Sequence, residues 1–311
     1  VSDPGAIWTW RGHRIGWCRA GESDATEAVV LIHGFGASSG HWRHTIPAIA
    51  QQAEVFALDL LGFGVSDKPR SRLSGEPEEA GSVRYCLDLW ADQVTDFVAE
   101  RVNPEGQRRP VHLIGNSIGA VVALAAAQRL VAAGRPPVQV VLIDCAQRTL
   151  DEKRLAERPP LARSLRPLLK SLVRRRWLVT TLFRQLARPG AIRTVLRQAY
   201  PSGGNLDDEL VALLLRPATD PGAPESFRGF INLFDDLLAP QLLAELTVPV
   251  RMLWGGSDPW EDPAEARRWA DTYPCVRELQ VLDGLGHCPH DEAPERVNPV
   301  LLAWITSAPA Q

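Results

Sequence analysis

Val111-His112-Leu113-Ile114-Gly115-Asn116-Ser117-Ile118-Gly119 is the stretch on which the reading of this chain turns. A short apolar run ends in Gly-x-Ser-x-Gly, and an alanine-rich segment with helical character follows at once. That order, strand then tight turn then helix, is what a nucleophile elbow requires: the sharp turn lifts the serine hydroxyl clear of the sheet edge. Gly115 and Gly119 fit because a side chain at either place would collide with neighbouring backbone. The helix opening at Ile118 turns its free N–H groups and positive end toward the point where an oxyanion would form. Ser117 is therefore the candidate nucleophile.

Working outward, Ala28–Ile32, Val55–Leu58, Val138–Ile143 and Val250–Trp254 read as further buried parallel strands, and Val276–Leu282 as the last. Helical patterns separate them, chiefly at Trp42–Gln51, Tyr85–Val102, Ile118–Ala133, Pro263–Tyr273 and Ala293–Thr306. Ile7–Cys18 reads as an antiparallel edge hairpin turning at Arg11-Gly12. The alternation predicts an α/β fold with an eight-stranded, mainly parallel sheet. It stops after Ile143 and resumes at Val248, and the leucine spacing between (Leu165, Leu168, Leu169, Leu172), broken by prolines, predicts an inserted helical cap. Residues 1–146 and 247–311 then form the core, and residues 147–246 the cap.

A serine hydroxyl is a poor nucleophile until a base takes its proton. Of seven histidines, His13 lies in the hairpin, His112 inside a strand, and His41 and His44 at the start of the first helix. His287 sits in a Gly-rich loop after the last strand, where this sheet order delivers a base to the serine. His290 is its rival, more simply a supporting or helix-start residue. The carboxylate that would orient the imidazole is Asp258, in the loop after the penultimate strand; Asp144, ending the strand before, is the alternative. His33-Gly34-Phe35-Gly36 closes the first parallel strand, so the backbone N–H groups of Phe35 and Ile118 are the expected oxyanion donors. His33, Gly34, Gly36, Gly115, Asn116 and Gly119 are supporting loop residues. Asp59 and Ser66 are expected to stiffen the loop from 59 to 67 by bonds to backbone.

The composition excludes several classes. With 311 residues, 45% hydrophobic and 23% charged, the chain has the make-up of a folded globular protein. Its longest apolar runs fall well short of the ~18 residues a membrane-spanning helix needs, and Val1–Gly5 shows no basic start of a signal peptide, so a soluble, cytoplasmic protein is expected. Five scattered cysteines without a CxxC pair indicate neither a disulfide framework nor a zinc site. No phosphate loop or dinucleotide fingerprint is present, and His41/His44 and His287/His290 lack a third ligand at sensible spacing. No metal and no cofactor are expected. Charge is uneven: residues 146–217 hold thirteen Arg and two Lys against six acids, a net +9 in a chain of net −3. With few interleaved aromatics and no recognised module, that segment is not expected to bind nucleic acid.

The HGFG run at 33–36, DLLGFGVSD at 59–67, GNSIG at 115–119 and the Asp258 and His287 loops together resemble the α/β-hydrolase superfamily over almost the whole chain. Within it, Gly286-His287-Cys288-Pro289-His290-Asp291-Glu292-Ala293-Pro294-Glu295 with Asn298, and Leu253-Trp254-Gly255 with Asp258-Pro259-Trp260, are similar to the pheophytinase-like branch of plants and cyanobacteria. The resemblance implies Ser117, Asp258 and His287 as the triad and a lipophilic ester, the phytyl ester of magnesium-free chlorophyll pigments, as substrate. Ala120 departs from the second glycine usual in the plant proteins. A general carboxylesterase, a C–C hydrolase, or a small-molecule receptor on the same scaffold are the competing readings. Leu165–Phe183, which interleaves bulky apolar residues with cations, is expected to be a cap helix burying its apolar face over the pocket and showing cations outside, with peripheral membrane contact through the basic cap as a partner reading.

Overall fold

Eight strands form one sheet in the order β1-β2-β4-β3-β5-β6-β7-β8 in the computed structural model, which describes residues 3–104, 107–157 and 159–307. Val1 and Ser2, part of the start read above, lie outside the described residues. β1 (Asp3–Trp10) and β2 (His13–Ala20) make the antiparallel edge hairpin. Both turn residues, Arg11 and Gly12, take positive φ, as a two-residue hairpin turn demands. β3 (Ala28–Ile32), β4 (Glu54–Leu58), β5 (Val111–Asn116), β6 (Gln139–Ile143), β7 (Val250–Gly255) and β8 (Val276–Leu282) run parallel to one another.

Every residue of β3, β4, β5 and β6 is buried, because helices cover both faces of the sheet. Successive residues alternate between faces, so Val30 and Ile32 enter one core while Val29 and Leu31 enter the other. The core helices are α1 (Ile46–Ile49), α2 (Leu87–Phe97) and α3 (Ile118–Ala132), with α10 (Pro263–Thr272), α11 (Pro289–Glu292) and α12 (Pro294–Thr306) after the cap. α2, α3 and α10 pack on the first face with Trp8 and Trp90; α1 and α12 pack on the second with Trp42 and Trp304. The helix expected over Trp42–Gln51 is instead a 3₁₀ turn at Ser39–Trp42 and the single turn α1. Pro47 has no N–H to donate back to residue 43, so no helix runs through from Trp42.

Between β6 and β7 lie α4 (Pro160–Arg174), α5 (Arg176–Leu186), α6 (Pro189–Ala199), α7 (Asp208–Ala218), α8 (Ala223–Ile231) and α9 (Ala239–Glu245). Residues 147 and 246, the boundaries expected for the insertion, both fall in connecting segments. The cap is tied to the core by polar bonds as well as apolar contact: buried Arg228 of α8 binds Glu76 and the Ser71 carbonyl, and also the Arg174 carbonyl at the end of α4.

The expected Leu165–Phe183 helix is corrected in two ways. Arg175 leaves helical geometry (φ −74°, ψ 106°), which splits the segment into α4 and α5. α5 does lay Val179 and Phe183 inward, with Phe183 against Phe227 of α8. α4 does the reverse: its leucines face outward, while Arg166 and Lys170 turn inward to the Leu150 carbonyl, Glu152 and the ring of Phe234. Helical spacing defines an apolar stripe but not which way it looks; here the inward polar bonds decide.

Candidate active site

Ser117 sits between β5 and α3 at φ 57°, ψ −122°, a conformation that L-residues rarely adopt. Strain of this kind, ~1–3 kcal/mol, persists only where the surroundings impose it. Here the flanking glycines do. A Cβ on Gly115 would lie 2.2 Å from the Gly119 carbonyl oxygen, and one on Gly119 would lie 2.4 Å from that of Ile32. The backbone is further pinned by Ser117 N–H donating to Ile143 O and by Ala146 N–H donating to Ser117 O. On the other side, a Cβ on Gly34 would meet the Ser117 Cβ at 3.1 Å, which brings the 33–36 loop directly beside the serine.

His287 and Ser117 line the same cavity. The Nδ1 of His287 lies 2.8 Å from Asp258 Oδ2, leaving Nε2 for the cavity. The two loops that carry this pair follow adjacent strands, and they touch: a Cβ on Gly255 would sit 2.0 Å from the Gly286 carbonyl oxygen. Asp258 Oδ1 accepts from the N–H groups of Trp260 and Glu261. Burial pushes the Asp258 carboxyl up, but its bond to His287 and these N–H groups outweigh that and hold it below its ordinary value. It is therefore a carboxylate placed to fix the tautomer of His287 and to stabilise an imidazolium.

Asp144 takes a different place. It is fully buried at the end of β6, with φ 44°, and its Oδ1 accepts from Gly255 N–H at 2.8 Å. Burial, then the charge of Asp258, push its carboxyl well above the usual range. In its neutral form its carboxyl can donate to the neighbouring Asp258 carboxylate. Ligand atoms of Asp144, Asp258 and His287 all lie within 4.8 Å of one another. Two acids so close do not both ionise, and burial assigns the proton to Asp144. The sequence placed Asp258 in the orienting role with Asp144 as the alternative, and it is Asp258 that makes the Nδ1 contact.

His290 does not reach the serine. It is buried against the rings of Trp42 and His41, and burial drives its basicity far down. His41 borders the cavity, with Nε2 2.8 Å from the Tyr200 hydroxyl, which in turn donates to Asp291. Arg43 binds both Asp291 and Asp207, so this chain of bonds fastens α6 and the start of α7 to the core behind His287. Sequence reading passed over it, because its partners stand 91 to 248 residues apart. His33 donates from Nδ1 to Gly34 O and accepts from Leu60 N–H at Nε2, a neutral ring used to shape the loop. Asp59 and Ser66 make the loop bonds expected of them, Asp59 to Ser39 and Val65 N–H and Ser66 to Asp59 O. Asn116 donates to Ile143 O and His287 O, joining the serine turn to the histidine loop. Among the described residues the N–H groups of Phe35 and Ile118 make no other hydrogen bond.

The cavity over Ser117 measures ≈460 Å³ and is walled largely by Phe35, Phe183, Ile192, Leu196, Phe227 and Phe230. Phe35 stacks on Phe230 at 3.8 Å between ring centres, closing core against cap. Its two charged-type residues are muted: Lys68 is bound to Gly64 O, Ser66 O and Asp220, and burial pushes Glu261 up to about 8.

A model of the alpha/beta hydrolase family matches residues 29–300. The chain belongs to the alpha/beta hydrolase family. Over its length this hydrolase-family chain is 28% identical to the chloroplastic pheophytinase of Arabidopsis thaliana across 307 residues, covering 89% of this chain and 61% of that protein. It thus spans less than two thirds of the relative's length. Among solved structures, a thermophilic esterase from Thermogutta terrifontis superposes with a TM-score of 0.68 at 22% identity, covering 98% of both chains. An epoxide hydrolase superposes at 0.73 with 20% identity, covering 97% of this chain and 98% of that one. The hydrolase fold is shared by all of them, and at these identities the solved structures speak to fold alone.

Proposed function

We propose that the chain is a serine hydrolase that cleaves a lipophilic carboxylic ester through an acyl-enzyme. Ser117 Oγ attacks the ester carbonyl while His287 Nε2 takes its proton; Asp258, ionised and bonded to Nδ1, stabilises the imidazolium. The oxyanion is received by the N–H groups of Phe35 and Ile118, which have no competing acceptor among the described residues. His287 returns the proton to the leaving alkoxide, which departs as the alcohol. Water, deprotonated by His287, then attacks the acyl carbon and releases the acid with Ser117 restored. The observation that carries this reading is the 2.8 Å His287–Asp258 pair facing a strained Ser117 across one apolar cavity.

The apolar walls, with Lys68 neutralised and Glu261 largely protonated at neutral pH, favour an uncharged and lipophilic ligand. A volume of ≈460 Å³ lies within the ~300–1,000 Å³ of small-molecule sites. The similarity to pheophytinase makes the phytyl ester of pheophytin the first substrate to offer. Wild type and Ser117→Ala should be given pheophytin a beside short- and long-chain acyl esters, with products identified by mass spectrometry. Release of phytol by the wild type alone supports the phytyl ester; turnover confined to short soluble esters leaves a general carboxylesterase. Activity that survives Ser117→Ala overturns the mechanism.

A further inference from the structure

Among the described residues, nothing is laid over the apolar face that the leucines of α4 form. Leu161, Leu165, Leu168 and Leu172 recur at helical spacing along one stripe, Leu169 borders it, and all five are between 38% and 71% exposed. Arg163, Arg166, Lys170 and Arg174 occupy the opposite stripe. Arg166 and Lys170 are held inward by the Leu150 carbonyl, Glu152 and the ring of Phe234, so the leucines are fixed outward by polar bonds. Trp177 of α5 is 66% exposed. Leu182 and Leu186 on that helix and Val195 on α6 are also exposed, and Leu186 and Val195 border the cavity that holds Ser117. Exposed apolar surface thus occurs on α4, α5 and α6, reaching the cavity wall.

The side of α4 opposite the leucines is cationic: a groove of ≈720 Å³ there is lined by Arg163, Arg166, Lys170, Arg174 and Arg175, with Glu152 as the acid in its wall. Arg175, Arg184 and Arg188 are exposed nearby in sequence, and residues 146–217 carry a net +9 while the rest of the chain carries −12. A second copy of the chain meeting this patch about a twofold axis would set +9 against +9, since such an interface pairs each surface with itself. An anionic lipid surface complements it in both respects: acyl chains for the leucines and Trp177, phosphate headgroups for the arginines. No helix among the described residues is long and apolar enough to cross a membrane; α4, with its apolar and charged faces opposed, suits the interface plane.

We propose that the leucine face of α4, with Trp177 and the flanking arginines, docks on an anionic lipid bilayer and brings the cavity mouth to the membrane that holds the ester. The uptake half of this statement rests on the lipophilic-ester reading above; the docking half does not. The test uses Leu165→Gln/Leu168→Gln/Leu172→Gln, since glutamine keeps helix propensity and none of the three borders the cavity. Wild type and Ser117→Ala alike should co-sediment with vesicles containing phosphatidylglycerol at low salt, less with pure phosphatidylcholine, and less at high salt. The triple variant should bind at least ~tenfold more weakly, while keeping its circular dichroism and its turnover of a soluble p-nitrophenyl ester. Wild type that fails to sediment, or a triple variant that binds as well as wild type, overturns the proposal. So does a dimer by sedimentation equilibrium that the triple substitution dissolves, which would make a second copy the occupant. Loss of ester turnover in Ser117→Ala with retained vesicle binding separates the fate of docking from that of the chemistry.

Discussion

Asp258→Asn and Asp144→Asn should differ by about three orders of magnitude in kcat/KM, although the two carboxyls adjoin one another. Asp258 is ionised in the native protein, its Oδ2 bound to His287 Nδ1. An amide there removes the negative charge that stabilises the imidazolium and can present an N–H where Nδ1–H requires an acceptor. A change of this kind costs ~10⁴ in turnover, about 5.5 kcal/mol of transition-state stabilisation. Asp144 is pushed toward its neutral form by burial and by Asp258. Its Oδ1 accepts from Gly255 N–H, and its proton is directed to the neighbouring Asp258 carboxylate. Asparagine reproduces both bonds, since its carbonyl accepts and its amide N–H donates, so the expected loss is no more than ~threefold to tenfold. The assay is kcat/KM on a soluble p-nitrophenyl ester across pH, with Tm measured in parallel to separate folding from chemistry. A loss of 10³-fold or more in Asp144→Asn at unchanged Tm, or of less than tenfold in Asp258→Asn, would overturn these roles. Either result would move the working acid to the end of β6 or remove it from the mechanism.

Glu261 gives a pH test. Its carboxyl holds its proton to about pH 8 in the native protein but ionises near 4.5 once unfolded, so stability falls as pH rises between these values. Glu261→Gln should therefore raise Tm at pH 8 and leave it nearly unchanged near pH 4.5, a difference of about 1–3 kcal/mol allowing for partial exposure of the side chain; equal shifts at both pH values would contradict this. Gly119→Ala forces a methyl group against the Ile32 and His33 carbonyl oxygens, and overpacking of that kind costs ~1–3 kcal/mol and should lower Tm by about 2–5 °C with slowed modification of Ser117. Arg228→Ala breaks the bonds from α8 to Glu76, Ser71 and the end of α4; expected is a loss of ~2–4 kcal/mol, read as faster proteolysis of the cap than of the core.

Most of what positions the site was legible in the sequence, and the reason is physical. A parallel strand buried on both faces must be apolar throughout, so β3 and β6 announce themselves without an alignment. The glycines at 115 and 119 are forced by backbone atoms within reach of a Cβ, which is why the turn has a fixed pattern. The loop position of Asp258 was enough to prefer it over Asp144 as the orienting acid, but the closeness of the two carboxyls was not legible, because it depends on β6 and β7 lying side by side. The orientation of α4 was misread for a related reason. Periodicity places Leu165 and Leu168 on one stripe, but Glu152 and Phe234, which draw the cations inward, lie outside that helix in sequence. The bond chain from His41 through Tyr200 to Asp291 likewise joins three segments that nothing local connects.

The proposed mechanism requires that Ser117 alone among the serines be the activated nucleophile. Incubation with a fluorophosphonate, followed by intact mass and peptide mapping, tests it most directly. One adduct per chain, on the peptide containing Ser117, is expected, absent in Ser117→Ala and formed orders of magnitude more slowly in His287→Ala. Sustained ester turnover by a wild-type protein that takes up no label, or takes it up at another residue, would contradict it.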